Sequence, residues 1–182
     1  LVSDQANAVR RMSYVAALGV EAGGPETPGD VWPASLGRQL DTVLRGNVAS
    51  SVDMLPRFAD VPPERLEALR SQMQVDLEDI LSIFAFSLEI DRVSIEVALQ
   101  TIPQFEPDFT AIYLNGLDAA EHHFWKYIEP DRFGGVPPED VARYRGVIDE
   151  YYVYMDEVLG RLLELVPAER RTVVIVSDHG HE

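Results

Sequence analysis

The chain has 182 residues and a mass of 20.4 kDa, with 46% hydrophobic and 25% charged residues. These are the proportions of a globular protein with a sizeable core, and they exclude disordered, collagen-like and coiled-coil classes. Its 31 acidic against 15 basic residues leave a net charge of −16, a surface that repels a phosphate backbone and offers no nucleic-acid face. Cysteine is absent, which excludes disulfides and thiolate metal sites, and the apolar runs are too short to span a membrane.

The opening third is the least regular. Residues 15–20 fit a strand or a short buried helix, and Gly23, Gly24, Pro25, Pro28 and Gly29 break whatever precedes them. A short helix over 35–44 follows Trp32-Pro33, with Leu36, Leu40, Val43 and Leu44 on one side. From Pro62-Pro63-Glu64, a favourable first turn, apolar residues recur at three- and four-residue steps through Leu66, Leu69, Met73, Leu77, Ile80, Leu81 and Phe84. That pattern predicts one long helix over 62–84, then a second over 91–102 ending before Pro103. Residues 60–108 hold eleven acids against Arg65, Arg70 and Arg92, a net of 3 − 11 = −8; a solvated outer face is the simplest account of them.

Residues 109–114 (Phe-Thr-Ala-Ile-Tyr-Leu) read as a buried strand between Pro107-Asp108 and Asn115-Gly116. A helix over about 118–127 follows, then a loop at Pro130, Gly134 and Gly135. Pro137-Pro138 opens another helix running to Pro167, with an apolar face of Tyr144, Ile148, Tyr151, Tyr152, Met155, Val158, Leu159, Leu162, Leu163 and Val166. Residues 172–176 read as a second buried strand. Strand, helix, helix, strand is the order of a parallel α/β sheet with crossover connections.

Two Asp/His pairs stand just past the carboxyl ends of these strands, the edge where open parallel sheets bind ligands. Asp118 and His122 are four residues apart and share one helix face; Asp178 and His179 are adjacent, and Gly180 lets the loop turn. Taken alone, Asp118 also fits an N-cap and Asp-His-Gly a polar turn. The same topological position on two strands is what points to metal, and mixed carboxylate and imidazole donors suit Zn²⁺, Mn²⁺ or Fe²⁺ better than Ca²⁺ or Mg²⁺. His123, about 100° around the helix from His122, fits packing or support of a ligand, as does His181.

Residues 172–180 (Thr-Val-Val-Ile-Val-Ser-Asp-His-Gly) resemble the metal-binding strand and loop of the alkaline phosphatase superfamily. Residues 113–127 (Tyr-Leu-Asn-Gly-Leu-Asp-Ala-Ala-Glu-His-His-Phe-Trp-Lys-Tyr) resemble the preceding motif of its type I phosphodiesterase/nucleotide pyrophosphatase branch, with the aromatic pair Phe124-Trp125 close behind the His. The resemblance is strong over 109–182 and looser before it, where Val2-Ser3-Asp4 and Trp32-Pro33 look like the family's middle region.

The resemblance implies an α/β, alkaline-phosphatase-like, mainly parallel sheet with flanking helices, of which this chain is an incomplete part. Residues 1–182 would belong to a single catalytic domain, with the acidic helical stretch 60–103 as an insertion or cap. It also implies two divalent ions, zinc foremost and manganese as the substitute: Asp178 and His179 would hold one, Asp118 and His122 the other. The activity implied is hydrolysis of phosphodiester or pyrophosphate bonds in a small phosphoester or nucleotide-like substrate, through a Thr or Ser nucleophile. Thr27, Thr42 and Thr110 stand in no nucleophile context. The nucleophile is therefore expected upstream of Leu1 and a further His ligand beyond Glu182, with this chain inactive by itself. Any signal peptide would also lie upstream, so the compartment stays open. Alternatives are a phosphoglycerate mutase-like or sulfatase-like member of the superfamily, or a non-catalytic helical module using the acidic helices as its surface.

Overall fold

Proline stands in the first turn of several helices of this chain, and aspartate carboxylates accept the first N–H groups of others. The computed structural model describes residues 14–15, 31–32, 36, 38, 48–72, 74–177 and 179–180, and the chain divides into two compact units. The smaller comprises Leu1–Gly46 and Val93–Tyr113, the larger Asn47–Arg92 and Leu114–Glu182.

In the smaller unit, strands β1 (Tyr14–Val15) and β2 (Val31–Trp32) pair antiparallel, Tyr14 opposite Trp32 and Val15 opposite Val31. Leu36 is helical and buried, as expected of the 35–44 segment; the remainder of that segment, Arg38 apart, lies outside the described residues, as do 16–20.

The larger unit is helical: α1 (Val48–Val52), α2 (Leu55–Phe58), α3 (Pro63–Arg70), the beginning of α4 (Ile80–Phe105), α5 (Gly116–Ile128), α6 (Pro130–Phe133), α7 (Pro138–Tyr144) and α8 (Val147–Leu163). A 3₁₀ turn, Ala168–Arg170, follows Pro167. α8 packs on α5 and α2, and α5 also packs on α7. Rings from five helices form the core. Phe58 meets Phe84 at 5.4 Å and Tyr151 at 5.5 Å, Phe84 meets Phe124 at 5.1 Å, and Tyr127 meets Tyr144 at 5.0 Å. Each such pair adds about 0.5–1.5 kcal/mol beyond its burial. Among the described residues no helix is long and apolar enough to cross a membrane.

Several sequence expectations need correction. The single helix over 62–84 is two helices, because a turn built by aspartates interrupts it. Asp76 Oδ1 accepts from the Glu78 N–H at 2.9 Å, and Asp79 Oδ1 accepts from the Leu81 N–H at 3.1 Å, which caps α4. Leu77, counted as an apolar step, sits in that turn and is 79% exposed. The separate helix over 91–102 is the later part of α4, which carries Pro103 in its last turn. The helix after Pro138 is interrupted at Arg145-Gly146, yet Tyr144, Ile148, Tyr151 and Val158 of the expected face are buried, with Val147 and Tyr154 beside them, whereas Tyr152 is exposed. The acidic stretch is not wholly a solvated face, since Glu89 and Asp91 are buried.

The two segments expected as buried strands, 109–114 and 172–176, form no strand. Phe109, Tyr113, Val174, Ile175 and Val176 are exposed. A parallel strand bonds only to neighbouring strands, and none of the described strands lies in a parallel sheet.

Candidate metal centre

Helix α5 carries two of the donors. Asn115 stands at its N-cap, so Asp118 occupies the third helical position and is not the cap. An acid in this first turn is favoured by the helix dipole, and four residues later His122 rises on the same face. His122 Nε2 lies 3.3 Å from Asp118 Oδ1. The third donor arrives from the far end of the chain: His179 Nε2 lies 3.5 Å from the same oxygen. One ligand atom from each of Asp118, His122 and His179 lies within 4.8 Å of the others, and the two imidazole centroids are 6.3 Å apart.

Two details bear on what this arrangement can hold. Asp118 Oδ1 is buried and accepts no hydrogen bond from any described residue, although the side chain as a whole is 42% exposed. His179 Nδ1 lies 3.0 Å from the Gly180 carbonyl oxygen. A carbonyl only accepts, so Nδ1 donates to it, and in the neutral ring this leaves Nε2, on the side of Asp118, as the nitrogen with the lone pair. An oxygen and a nitrogen lone pair facing each other repel unless a proton or a metal cation lies between them. Ligand atoms about 2.0–2.1 Å from a tetrahedral ion are roughly 3.3–3.4 Å apart, close to both observed separations. The donor set fits a divalent metal.

His123 is not in this group of donors and is half-buried; burial, then the nearby His122 and Lys126, hold its pKa below the ordinary histidine value. Trp125 is turned to Glu129, donating from Nε1 to Oε2 at 2.9 Å, and Tyr127 is buried in the core. Asp178 and His181 lie outside the described residues. The resemblance pairs His179 with Asp178 on a separate ion; the geometry groups His179 with Asp118 and His122.

Sequence reasoning missed the residues that hold the start of α5. Asn115 makes no side-chain cap. Instead the Asn115 N–H donates to Asp91 Oδ1 at 2.8 Å and the Gly116 N–H to Asp91 Oδ2 at 3.1 Å, while the Tyr151 hydroxyl donates to Oδ2 at 2.6 Å. Burial pushes the Asp91 carboxyl above the usual aspartate range, against the opposing effect of these hydrogen bonds, and burial with Asp91 alongside pushes the Tyr151 phenol up. A signal was present. Leu81, Phe84, Leu88, Asp91, Ile95, Ala98 and Ile102 step by three and four, so the acid interrupts an apolar stripe and must be buried with partners.

The family profile for Type I phosphodiesterase / nucleotide pyrophosphatase matches residues 12–182, and the chain belongs to that family. Comparison with curated proteins and with solved structures gives no match. The membership places the chain among phosphodiester-hydrolysing proteins of alkaline phosphatase-like type.

Proposed function

We propose that this chain supplies metal ligands to a metal-dependent hydrolase of phosphodiester or pyrophosphate bonds, with Asp118, His122 and His179 holding one divalent ion, zinc foremost. The observation that carries the reading is the buried Asp118 Oδ1, which faces two imidazole nitrogens at 3.3 and 3.5 Å and accepts no hydrogen bond from a described residue.

The ion would supply Lewis-acid charge compensation to a phosphate whose own negative charge repels a nucleophile. The chain's residues bind and orient. Asp118 provides the anionic donor, and α5 sets His122 one turn away on the same face. The Gly180 carbonyl keeps His179 in the tautomer whose Nε2 is available. Asp178, adjacent to His179, is assigned to the second ion. The Thr or Ser nucleophile is assigned to a segment of the alkaline-phosphatase-like fold outside residues 1–182. On this reading the 182-residue chain alone turns over no nitrophenyl phosphodiester.

The test is zinc titration of the chain by calorimetry, with metal content measured after gel filtration. Asp118→Ala and His122→Ala should each weaken binding by more than the roughly 10–100-fold typical of losing a residue that merely supports a ligand. Unchanged affinity and stoichiometry in both variants would remove these residues from the metal site.

A further inference from the structure

We infer that Asp91 and Tyr151 are positioning residues for the metal centre: together they clamp the first turn of α5 and thereby fix where Asp118 and His122 point. The inference rests on the metal reading above and adds to it the part of the fold that sets the ligands.

The first N–H groups of any helix lack intrahelical partners, and a nearby side chain commonly supplies one. Here Asn115 makes no side-chain cap, and a carboxylate 24 residues upstream accepts the N–H groups of Asn115 and Gly116. A cap from Asn115 itself would satisfy α5 without tying it to anything else. Asp91 ties it to α4, and Tyr151 ties the same carboxylate to α8. Asp91 and Tyr151 are both fully buried, so neither has water as an alternative partner.

Space around the clamp is equally restricted. A Cβ added to Gly116 would lie 1.8 Å from the Tyr151 hydroxyl oxygen and 2.8 Å from Asp91 Oδ2. The helix therefore starts in close contact with its clamp, two residues before Asp118 and six before His122. A rotation or slip of this first turn would move both donors relative to His179, which comes from a different segment.

Tyr151→Phe and Asp91→Asn test the idea in the 182-residue chain, because both keep the shape of the side chain. Each should raise the zinc dissociation constant about 10–100-fold, the usual effect of losing a group that orients a metal ligand. Far-UV circular dichroism should stay that of the parent. Without metal, amide exchange should accelerate at 115–119 and not along α8. A merely structural role would lower the unfolding midpoint yet leave the zinc constant of the folded chain unmoved. That result for Tyr151→Phe, beside loss of binding in His122→Ala, would overturn the positioning role alone. A parent chain that takes up no zinc would overturn the metal reading and this inference together. Should Asp91→Asn fail to fold, Tyr151→Phe decides, since its ring still fills the space against Phe58 and Phe84.

Discussion

At Gly116 two general effects oppose each other. Glycine in a helix costs up to about 1 kcal/mol relative to alanine, so on propensity alone Gly116→Ala, at the buried first position of α5, would be a stabilising change. Here the added methyl meets the Tyr151 ring, with its Cζ at 2.6 Å as well as the hydroxyl beyond it. Overpacking of this kind costs about 1–3 kcal/mol, and pushing the Tyr151 hydroxyl off a buried carboxylate costs roughly as much again. The clash wins. Gly116→Ala should destabilise the chain by about 3 kcal/mol, read as a lower urea midpoint with an unchanged slope. A neutral or stabilised variant would mean that Tyr151 does not occupy this position in solution. Beside Gly116, the pair Asp118 and His122 was readable because helical spacing alone brings them together. For Asp91 the interrupted apolar stripe signals burial, but not the partner: Tyr151 is sixty positions away, and no local pattern encodes that contact.

For helix α5 as an element, the consequence of being capped from elsewhere is a pH dependence. Asp91 has a folded-state pKa raised above the ordinary 3.8, burial outweighing the three hydrogen bonds that favour its charged form. In the window between those two values the folded state binds more protons than the unfolded one, so stability falls as pH rises through it. The contribution is fully present below the unfolded value and lost above the folded one. Carboxylates such as Glu129 and Glu157, held low by hydrogen bonds from Trp125 and Arg57, slope the opposite way and mask the effect in the parent alone. The difference between parent and Asp91→Asn stabilities isolates it. That difference should shrink as pH is raised above the ordinary aspartate value, in urea titrations at a series of pH values. A difference that grows with pH would show that the hydrogen bonds outweigh burial. The helix itself was legible: 118–127 was expected and Gly116–Ile128 is observed. The break between α3 and α4 was hidden because the apolar steps continue across the aspartate turn.

For the whole molecule, the family and the helical content were within reach of the sequence, and the parallel sheet was not displayed by the described residues. The reason is physical. A helix satisfies its backbone within its own segment, so its pattern and its structure are both local. A strand's partners can come from anywhere, and apolar composition does not say where they are. The same contrast applies to the site: the α5 pair is local, whereas His179 reaches Asp118 only through the fold.

The run from Thr172 to Val176 also bears on how the chain behaves in a test tube. Val174, Ile175 and Val176 are more than 70% exposed, and the segment is β-branched, uncharged and free of proline, the composition of a sticky edge. What holds two copies apart is colloidal: each carries a net charge of −16. That protection extends about 10 Å at 0.1 M salt and only about 3 Å at 1 M. The chain should therefore stay dispersed in dilute buffer and self-associate as sodium chloride is added, seen as a rise in light scattering. Ile175→Lys, a charge placed in the run itself, should suppress it; scattering that ignores both salt and the lysine would place the adhesive surface elsewhere.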